Sequence, residues 1–386
     1  MMSLVAATVM CGIDVLERDG FALLRGRSVA VITNHTGRTR DGRHVVDVMV
    51  ASPSVKVVCL FAPEHGVRGE VDAPVKDGKD EKTGLNVYSL YNPGAGAGRF
   101  RPTEEQLKGV DTLVFDIQDI GTRFYTYVGT MGYAMEEAHR HGLRFVVLDR
   151  PNPIGGVWVD GPTADKDRLG LTAYHPIPLV HGMTAGELAG YFKEVKGLDG
   201  LDLQVVKCEG WTRADTWEKT GLTWINPSPN MRTMNQAVLY PGIALVEATN
   251  VSVGRGTDTP FELVGAPYVD GQSLAARMNA LSLPGVLFYP IEFTPDATKF
   301  AGEKCEGIAI MVTERSRLEP IRVGMELARA LHELFPEWDD ARLINLVQNR
   351  VAADAVLRGG YEAAAPTWQE DLGSFKLARA RHLLYD

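Results

Sequence analysis

The first half of the chain alternates short hydrophobic runs with polar loops and amphipathic segments. Four runs predict β-strands, at residues 28–33, 55–61, 112–115 and 144–148. They are apolar throughout rather than alternating, which is typical of strands buried on both faces of a parallel sheet. Residues 128–141 carry apolar side chains at helical spacing and stop before Gly142, a residue favoured after a helix. The pattern predicts a doubly wound α/β domain.

The second half of the chain has a mixed α and β pattern. A helix is predicted at 184–195, where Thr184 and Glu187 form a capping box, and a strand at 202–206. The stretch 224–232 is rich in Pro and Asn and marks the predicted domain boundary. Beyond it we predict a smaller α+β domain with helices and strands at 273–281, 286–293, 307–313 and 321–335.

Polar motifs follow all four predicted strands of the first half. In open parallel sheets ligands bind beyond the carboxyl ends of the strands, so these motifs are expected to share one cleft. The charged side chains that they carry are Glu64, Asp116, Asp119, Asp149 and Arg150.

Composition and charge limit the kinds of molecule that the protein is expected to bind. The chain has 45% hydrophobic and 23% charged residues, as in ordinary globular proteins, and a formal net charge of −9. That charge gives no long-range attraction for nucleic acid or anionic lipid, so neither partner is expected, nor is a membrane span. An anionic ligand would have to be met by a local group of arginines.

Cofactor and metal motifs are absent from the sequence. The glycine run at 94–98 is predicted to be a loop and lacks the G-x-G-x-x-G spacing of dinucleotide sites. No Walker A pattern occurs, and the nine histidines include no H-E-x-x-H pair. The four cysteines have no C-x-x-C spacing, so neither a zinc knuckle nor a disulfide framework is predicted. We therefore predict no cofactor and no metal.

Glu64 is the carboxylate that the local sequence constrains most. Pro63 restricts the backbone before it and Gly66 allows a turn after it, so the side chain is held in place. Loss of water beside apolar surface favours the protonated form of a carboxyl group, as a general acid requires. An equally weighted alternative is that Glu64 caps a helix or pairs with Arg68.

Two further groups carry open interpretations. Asp116 is predicted to face a ligand, while Asp119 is predicted to make an Asx turn before Gly121. Strict alternation would place Arg123, Tyr125 and Tyr127 on one side of a strand, as a surface for a sugar face and a carboxylate. The alternative is a half-buried strand with the tyrosines at its wet edge.

Taken together, the motifs resemble the NamZ-type exo-β-N-acetylmuramidase family, formerly a domain of unknown function. The segments that carry the resemblance run in the family's order. They are FAPEHGVRG at 61–69, DIQDIGTRFYTY at 116–127, DRPNP at 149–153, HGMT at 181–184, PSPNM at 227–231 and TNVSVGRGT at 249–257. The likeness covers about residues 12–265, and the remaining residues match the family only in their general pattern, not in specific motifs.

The resemblance implies a glycoside hydrolase that removes N-acetylmuramic acid from the non-reducing end of peptidoglycan fragments. It implies a Rossmann-like catalytic domain, at 12–232, and a smaller C-terminal domain, at 233–386, with the active site between them. The family's proposed catalytic glutamate corresponds to Glu64. The second catalytic group is expected to be Asp116, Tyr125 or the acetamido group of the substrate itself.

The lactyl carboxylate of muramic acid requires a cation, for which Arg123, Arg150 and Arg255 are equal candidates. The full set of predicted substrate-binding residues is Asn34, His65, Arg68, Asp119, Arg123, Tyr127, Asp149, Arg150, Asn152, His181, Asn230, Asn250 and Arg255.

Two other classes of function stay open at this point. One is a non-catalytic muropeptide-binding protein, and the other is a metal-dependent amidase or phosphoesterase on the same scaffold. The apolar stretch at 1–10 lacks a basic segment before it. We expect a periplasmic or secreted protein if that stretch is the remnant of an export signal, and a cytoplasmic one otherwise. The sequence specifies no oligomeric state.

Overall fold

The computed structural model describes residues 8–69, 76–91 and 100–386. The glycine run at 94–98 and most of the apolar stretch at 1–10 therefore lie outside the described residues. The strands within the described ranges are β1 Ser28–Thr33, β2 Lys56–Ala62, β3 Gly78–Lys79, β4 Asn86–Ser89, β5 Thr112–Asp116, β6 Arg144–Leu148, β7 Asp202–Val206, β8 Leu263–Ala266, β9 Val286–Phe293 and β10 Cys305–Val312.

Eleven α-helices lie within the same ranges. They are α1 Gly12–Arg18, α2 Val45–Ala51, α3 Thr126–Arg140, α4 Ala185–Val195, α5 Trp217–Thr220, α6 Met234–Ile243, α7 Gly271–Asn279, α8 Pro320–Leu334, α9 Ile344–Val347, α10 Arg350–Ala364 and α11 Gln369–Arg379. The capping box at the start of α4 is confirmed, since the Thr184 hydroxyl accepts from Glu187 N and the Glu187 carboxylate accepts from Thr184 N.

Seven strands form one sheet in the order β3-β4-β2-β1-β5-β6-β7. All neighbours pair in parallel except β3, which is antiparallel to β4 at the sheet edge. The chain leaves β1 first toward β2 and β4, and later builds β5, β6 and β7 on the other side. The predicted doubly wound α/β fold is confirmed.

The hydrophobic runs are continuous because their side chains enter two different cores. Val29 and Val31 of β1 pack with α1 and α2 on one face of the sheet. Ala30 and Ile32 pack with α3 and α4 on the other face. The four residues from Val29 to Ile32 are all buried, so no polar position interrupts this part of the pattern.

The smaller C-terminal domain contains an antiparallel sheet in the order β8-β10-β9, with helices packed against it. Helices α6 and α8 cross where two glycines meet. A Cβ atom at Gly242 would overlap the Pro320 carbonyl oxygen, and a Cβ at Gly324 would overlap the Gly242 carbonyl oxygen. The absence of both side chains therefore permits the close approach of the two helices.

The last residues of the chain return to the first sheet. The Tyr385 hydroxyl donates to Asp149 Oδ2 at 2.6 Å, and Leu384 N donates to Glu187 Oε1 at 2.8 Å. The C-terminal segment thus packs beside β6 and α4. The domain division at 232/233 stays a prediction.

Among the described residues, no helix combines the length and the hydrophobicity that crossing a membrane requires.

Replacing Gly242 by Ala should lower the free energy of unfolding by about 1–3 kcal/mol, because the new methyl group forces α6 and α8 apart. Thermal and denaturant unfolding measure this change. Gly373→Ala is the matched control, because Gly373 is an exposed helical residue with open space around its Cβ position. It should be neutral or slightly stabilising. Equal stabilities of the two variants would contradict close α6–α8 packing.

Candidate active site

A cleft opens at the carboxyl edge of the large sheet, where the C-terminal domain covers it. The first domain contributes the loop after β2, the start of α3 and the segment before α6, and the second contributes residues from α6 onward. Its charged and polar lining consists of Glu64, His65, Tyr125, Thr126, Tyr127, Ser228, Asn230, Tyr240, Glu247 and Arg255. Six of the sequence-predicted residues therefore line it, namely Glu64, His65, Tyr125, Tyr127, Asn230 and Arg255.

Glu64 follows β2 on a tight turn. His65 and Gly66 both have positive φ angles, of 70° and 77°, which turn the backbone away and leave the Glu64 carboxylate in the cleft. The Glu64 side chain is exposed, so the expected desolvation by apolar surface is not present. Its Oε2 atom accepts a hydrogen bond from the Thr126 hydroxyl at 3.1 Å.

Arg68 does not pair with Glu64. Its guanidinium binds Asp80 at 2.8 Å and Asp47 at 2.9 Å. Arg68 also lies outside the cleft lining, so its predicted contact with substrate is not supported by its position. The alternative in which Arg68 neutralises Glu64 is excluded by these contacts, and Glu64 keeps its carboxylate in the cleft.

Three tyrosine rings form one wall of the cleft. The Tyr125 ring meets Tyr127 and Tyr240 edge to face, with centroids 5.0 Å and 5.7 Å apart. The strand predicted across Tyr125 and Tyr127 was wrong, because α3 begins at Thr126. Tyr125 is the N-cap of α3 and has an extended backbone, whereas Tyr127 lies in the first turn of the helix. The Tyr127 hydroxyl donates to the Pro227 carbonyl at 2.7 Å.

The Tyr125 hydroxyl is buried, and no described residue forms a hydrogen bond with it. Burial raises the pKa of Tyr125 well above its ordinary value, and the neighbouring Tyr127 and Tyr240 raise it further. The side chain therefore stays a neutral phenol near neutral pH. A neutral phenol can donate a hydrogen bond to a sugar oxygen, but it is a poor nucleophile.

Arg255 and Glu247 form an ion pair in the cleft, with 2.8 Å between Arg255 Nη1 and Glu247 Oε1. Lys299 holds the backbone beside them, because its ammonium donates to the carbonyls of Glu247, Thr249 and Val251. Glu247 is not among the residues predicted from the sequence. It lies two residues before the 249–257 motif, and extending that motif upstream was the available signal.

Asp116 does not reach the cleft. It is fully buried at the end of β5, where Arg150 binds it through two hydrogen bonds, of 2.6 Å and 3.1 Å. Burial raises the pKa of Asp116 and the adjacent guanidinium opposes that rise. The prediction that Asp116 faces a ligand is corrected, since this position excludes direct contact with a sugar in the cleft. Arg150 is correspondingly occupied with Asp116 and outside the cleft lining.

Arg123 is also buried away from the cleft. Its guanidinium donates to the carbonyls of Pro162, Ile177 and Val347 at 2.7, 3.0 and 2.9 Å. Burial lowers the pKa of Arg123 to about 9. The predicted role of Arg123 toward a substrate carboxylate is corrected, because the side chain instead ties the first domain to the segment around residue 347.

Asp119 makes the predicted Asx turn, since its Oδ2 atom accepts from Gly121 N at 2.7 Å. Burial raises the pKa of Asp119 to about 7, although the Gly121 and Ile120 amides oppose the rise. His181 Nε2 lies 3.8 Å from the same oxygen, and burial lowers the pKa of His181 to about 3. Both residues lie outside the cleft lining, among the loops that support it.

The other predicted polar residues also hold loops together. Asp149 accepts from the Thr184 hydroxyl and from Gly186 N, and burial raises its pKa to about 6. Asn34 Oδ1 accepts from Thr36 N at 2.9 Å, and Asn152 Nδ2 donates to the Met183 carbonyl at 3.0 Å. Asn250 Nδ2 donates to the Glu337 carbonyl at 2.8 Å. These four residues all lie outside the cleft lining: Asn34, Asp149, Asn152 and Asn250.

In the part of the chain that the structure describes, no three His, Cys, Asp or Glu side chains group as a metal site would require. The absence of a metal stays a prediction.

The cleft contains two carboxylates, Glu64 and Glu247, and a pair of carboxylates is what most glycoside hydrolases use. Family comparison agrees with that class. Residues 29–235 match the model described as exo-β-N-acetylmuramidase NamZ, N-terminal, and residues 238–385 match its C-terminal counterpart. The chain therefore belongs to the exo-β-N-acetylmuramidase NamZ family.

Individual relatives extend this result. The chain is 41% identical over 385 residues to peptidoglycan β-N-acetylmuramidase NamZ of Bacillus subtilis strain 168, covering 98% of this chain and 91% of that relative. Two crystal structures of DUF1343 family proteins from Bacteroides fragilis NCTC 9343 share the fold. Their TM-scores are 0.90 and 0.77 at 33% and 30% identity, each over 98% of this chain and 99% of theirs.

Replacing Asp116 by Asn should lower the free energy of unfolding by about 3–5 kcal/mol, because the buried Arg150 guanidinium loses its counter-charge. Denaturant unfolding near pH 7 measures the loss. Glu209→Gln is the control, since it breaks an exposed ion pair with Arg18 and should leave the midpoint unchanged. A D116N protein of wild-type stability without activity would instead make Asp116 a catalytic residue.

Proposed function

We propose that this protein is an exo-acting glycoside hydrolase that releases N-acetylmuramic acid from the non-reducing end of peptidoglycan fragments. Membership of the exo-β-N-acetylmuramidase NamZ family over nearly the whole chain supports the reaction class. The name of the Bacillus subtilis relative, which is 41% identical, supports peptidoglycan as the substrate. The observation that carries the proposal is the Glu64 carboxylate, held in the cleft and not neutralised by Arg68.

Glu64 is the general acid of the proposed reaction. Its carboxyl group protonates the glycosidic oxygen as the bond to the leaving sugar breaks. The turn at His65 and Gly66 fixes the direction of the side chain, and the Thr126 hydroxyl positions the carboxyl group through Oε2. A fixed acid lowers the entropic cost of reaching the reactive geometry.

Glu247 replaces Asp116 as the proposed second carboxylate. It lies in the same cleft as Glu64, on the wall contributed by the C-terminal domain, whereas Asp116 is buried with Arg150. Its task is to stabilise the positive charge that develops on the sugar ring or to activate the attacking water. Tyr125 then serves as a neutral hydrogen-bond donor to the sugar.

Arg255 is the proposed partner of the lactyl carboxylate. Of the three arginines considered from the sequence, it is the one that lines the cleft, since Arg123 and Arg150 are buried against carbonyls and Asp116. A guanidinium has five N–H donors, so Arg255 can hold Glu247 and a substrate carboxylate together. The ion pair with Glu247 fixes its orientation before the sugar arrives.

Replacing Glu64 by Gln should reduce kcat on a chromogenic β-N-acetylmuramide by at least about 100-fold, the usual scale of general acid catalysis. The fold should remain unchanged by circular dichroism and thermal unfolding. Glu104→Gln, at an exposed glutamate outside the cleft, is the matched control and should retain full activity.

The same assay separates the two rival functions. A muropeptide-binding protein would bind the substrate without turnover, and a metal-dependent hydrolase would lose activity in chelator. Normal release of N-acetylmuramic acid by folded E64Q would falsify the role of Glu64.

Replacing Arg255 by Met should weaken inhibition by free N-acetylmuramic acid about tenfold or more, because a charge-assisted hydrogen bond is lost. Inhibition by N-acetylglucosamine, which lacks the lactyl carboxylate, should change much less. The ratio of the two inhibition constants is the measurement. Arg232→Met is the control, since Arg232 lies outside the cleft lining and binds Asp258. Equal weakening for both sugars would show that Arg255 does not read the carboxylate.

A further inference from the structure

Two cysteines that are distant in the chain face each other across a short antiparallel bridge. Met10 N donates to the Glu209 carbonyl at 3.0 Å, and Glu209 N donates to the Met10 carbonyl at 2.9 Å. Because this pair exchanges both hydrogen bonds, the next pair along the bridge, Cys11 and Cys208, is of the non-hydrogen-bonded kind. Such pairs have Cα atoms about 4.5 Å apart, within the range that a disulfide spans, about 4.4–6.8 Å.

The backbone amides of both cysteines confirm this register. Cys11 N donates to Asp14 Oδ2 at 2.8 Å, and Cys208 N donates to the Tyr385 hydroxyl at 2.9 Å. Neither amide points across the bridge. Cys208 Sγ donates to the Asp149 carbonyl oxygen at 3.1 Å, and the Cys11 side chain faces Asp14 N at the start of α1. The two thiols are close enough to interact electrostatically.

The two thiols lie beside a guanidinium. The charges of Cys11 and Cys208 both act on Arg150, which holds the ends of β5 and β6 together. Burial raises the pKa of Cys208 well above its ordinary value, and the Cys11 side chain raises it further. A neighbouring cation favours the thiolate that exchange requires, and it acts against this effect of burial.

Cys11 also lines a cavity of about 490 Å³ that is separate from the active-site cleft. Arg38, Arg40 and Arg150 lie on its walls, together with Asp41 and Gln118. Arg40 is exposed at this cavity. Arg150 is paired with Asp116, so Arg38 and Arg40 are the cations that favour the approach of a small anionic reagent to the wall that covers the buried Cys11 thiol.

We propose that Cys11 and Cys208 form a disulfide by exchange with a small anionic disulfide such as oxidised glutathione. The Cys11 thiolate attacks one sulfur of the reagent and releases one thiolate. The Cys208 thiolate then attacks Cys11 Sγ and releases the second. The protein loses two protons and two electrons, and the reagent takes them up to become two thiols. The new bond joins the N-terminal segment before α1 to the loop after β7.

The experiment treats the folded protein with oxidised glutathione, traps the remaining thiols and maps the peptides by mass spectrometry. The expected result is the loss of two of the four thiols, a peptide pair joined through Cys11 and Cys208, and no bound glutathione. The melting temperature should rise by several degrees, because the crosslink closes a loop of nearly 200 residues in the unfolded chain. Dithiothreitol should reverse both changes.

Matched variants make the assignment specific. Cys59 and Cys305 are also buried, so a Cys59→Ser, Cys305→Ser double variant should still form the crosslink and gain stability. Cys208→Ser should give no crosslinked peptide and no rise in melting temperature, and Cys11→Ser serves if that variant fails to fold. Retention of all four thiols, a stable glutathione adduct on Cys11, or a lower melting temperature after oxidation would each overturn the proposal.

Discussion

Two buried carboxylates at the carboxyl edge of the large sheet hold its loops in one arrangement. Asp116 binds Arg150, which also donates to the Arg38 carbonyl in the loop after β1. Asp149 accepts a hydrogen bond from Gly186 N, in the first turn of α4. A buried charge without its partner costs several kcal/mol, so no one of these loops can move independently of the others. The geometry of the cleft is therefore fixed by buried charged side chains that do not line it.

This arrangement divides the carboxyl edge between support and chemistry. The loops after β5 and β6 are closed by their own ion pairs and Asx turns, whereas the loop after β2 leaves Glu64 exposed under the C-terminal domain. The general rule that ligands bind at the carboxyl edge of an open parallel sheet therefore holds for the edge as a whole. The loop after β2 meets the proposed ligand site because Glu64 lies in the cleft lining, while Arg68 binds Asp47 and Asp80 instead.

The sequence contained most of the information about the sheet and little about the partners of polar side chains. The four predicted strands of the first half lie within one residue of their observed bounds, because burial on both faces leaves continuous apolar runs. The short strands at the sheet edge and the helix start at Thr126 were missed, since neither carries a strong periodic signal. The positions of these elements are set by tertiary packing and not by local pattern.

The candidate site shows the same limit more sharply. Pro63 and Gly66 in the sequence predicted that Glu64 lies in a rigid turn. The burial of Asp116, Asp149 and Arg123 could not be predicted, because the sequence does not show whether a polar side chain forms its hydrogen bonds with a backbone carbonyl or with a ligand. Likewise, the spacing of the cysteines gave no sign that Cys11 and Cys208 are neighbours. They are brought together by the bridge between Met10 and Glu209.

The contact between Tyr385 and Asp149 has a consequence for the order in which the protein is made. The first sheet is encoded early, yet one donor to its central buried carboxylate comes from a residue 236 positions later. Until the ribosome has made Tyr385, Asp149 lacks that donor and the surface beside α4 stays uncovered. The nascent first domain therefore cannot reach its final stability ahead of the second, unlike chains whose domains fold in sequence.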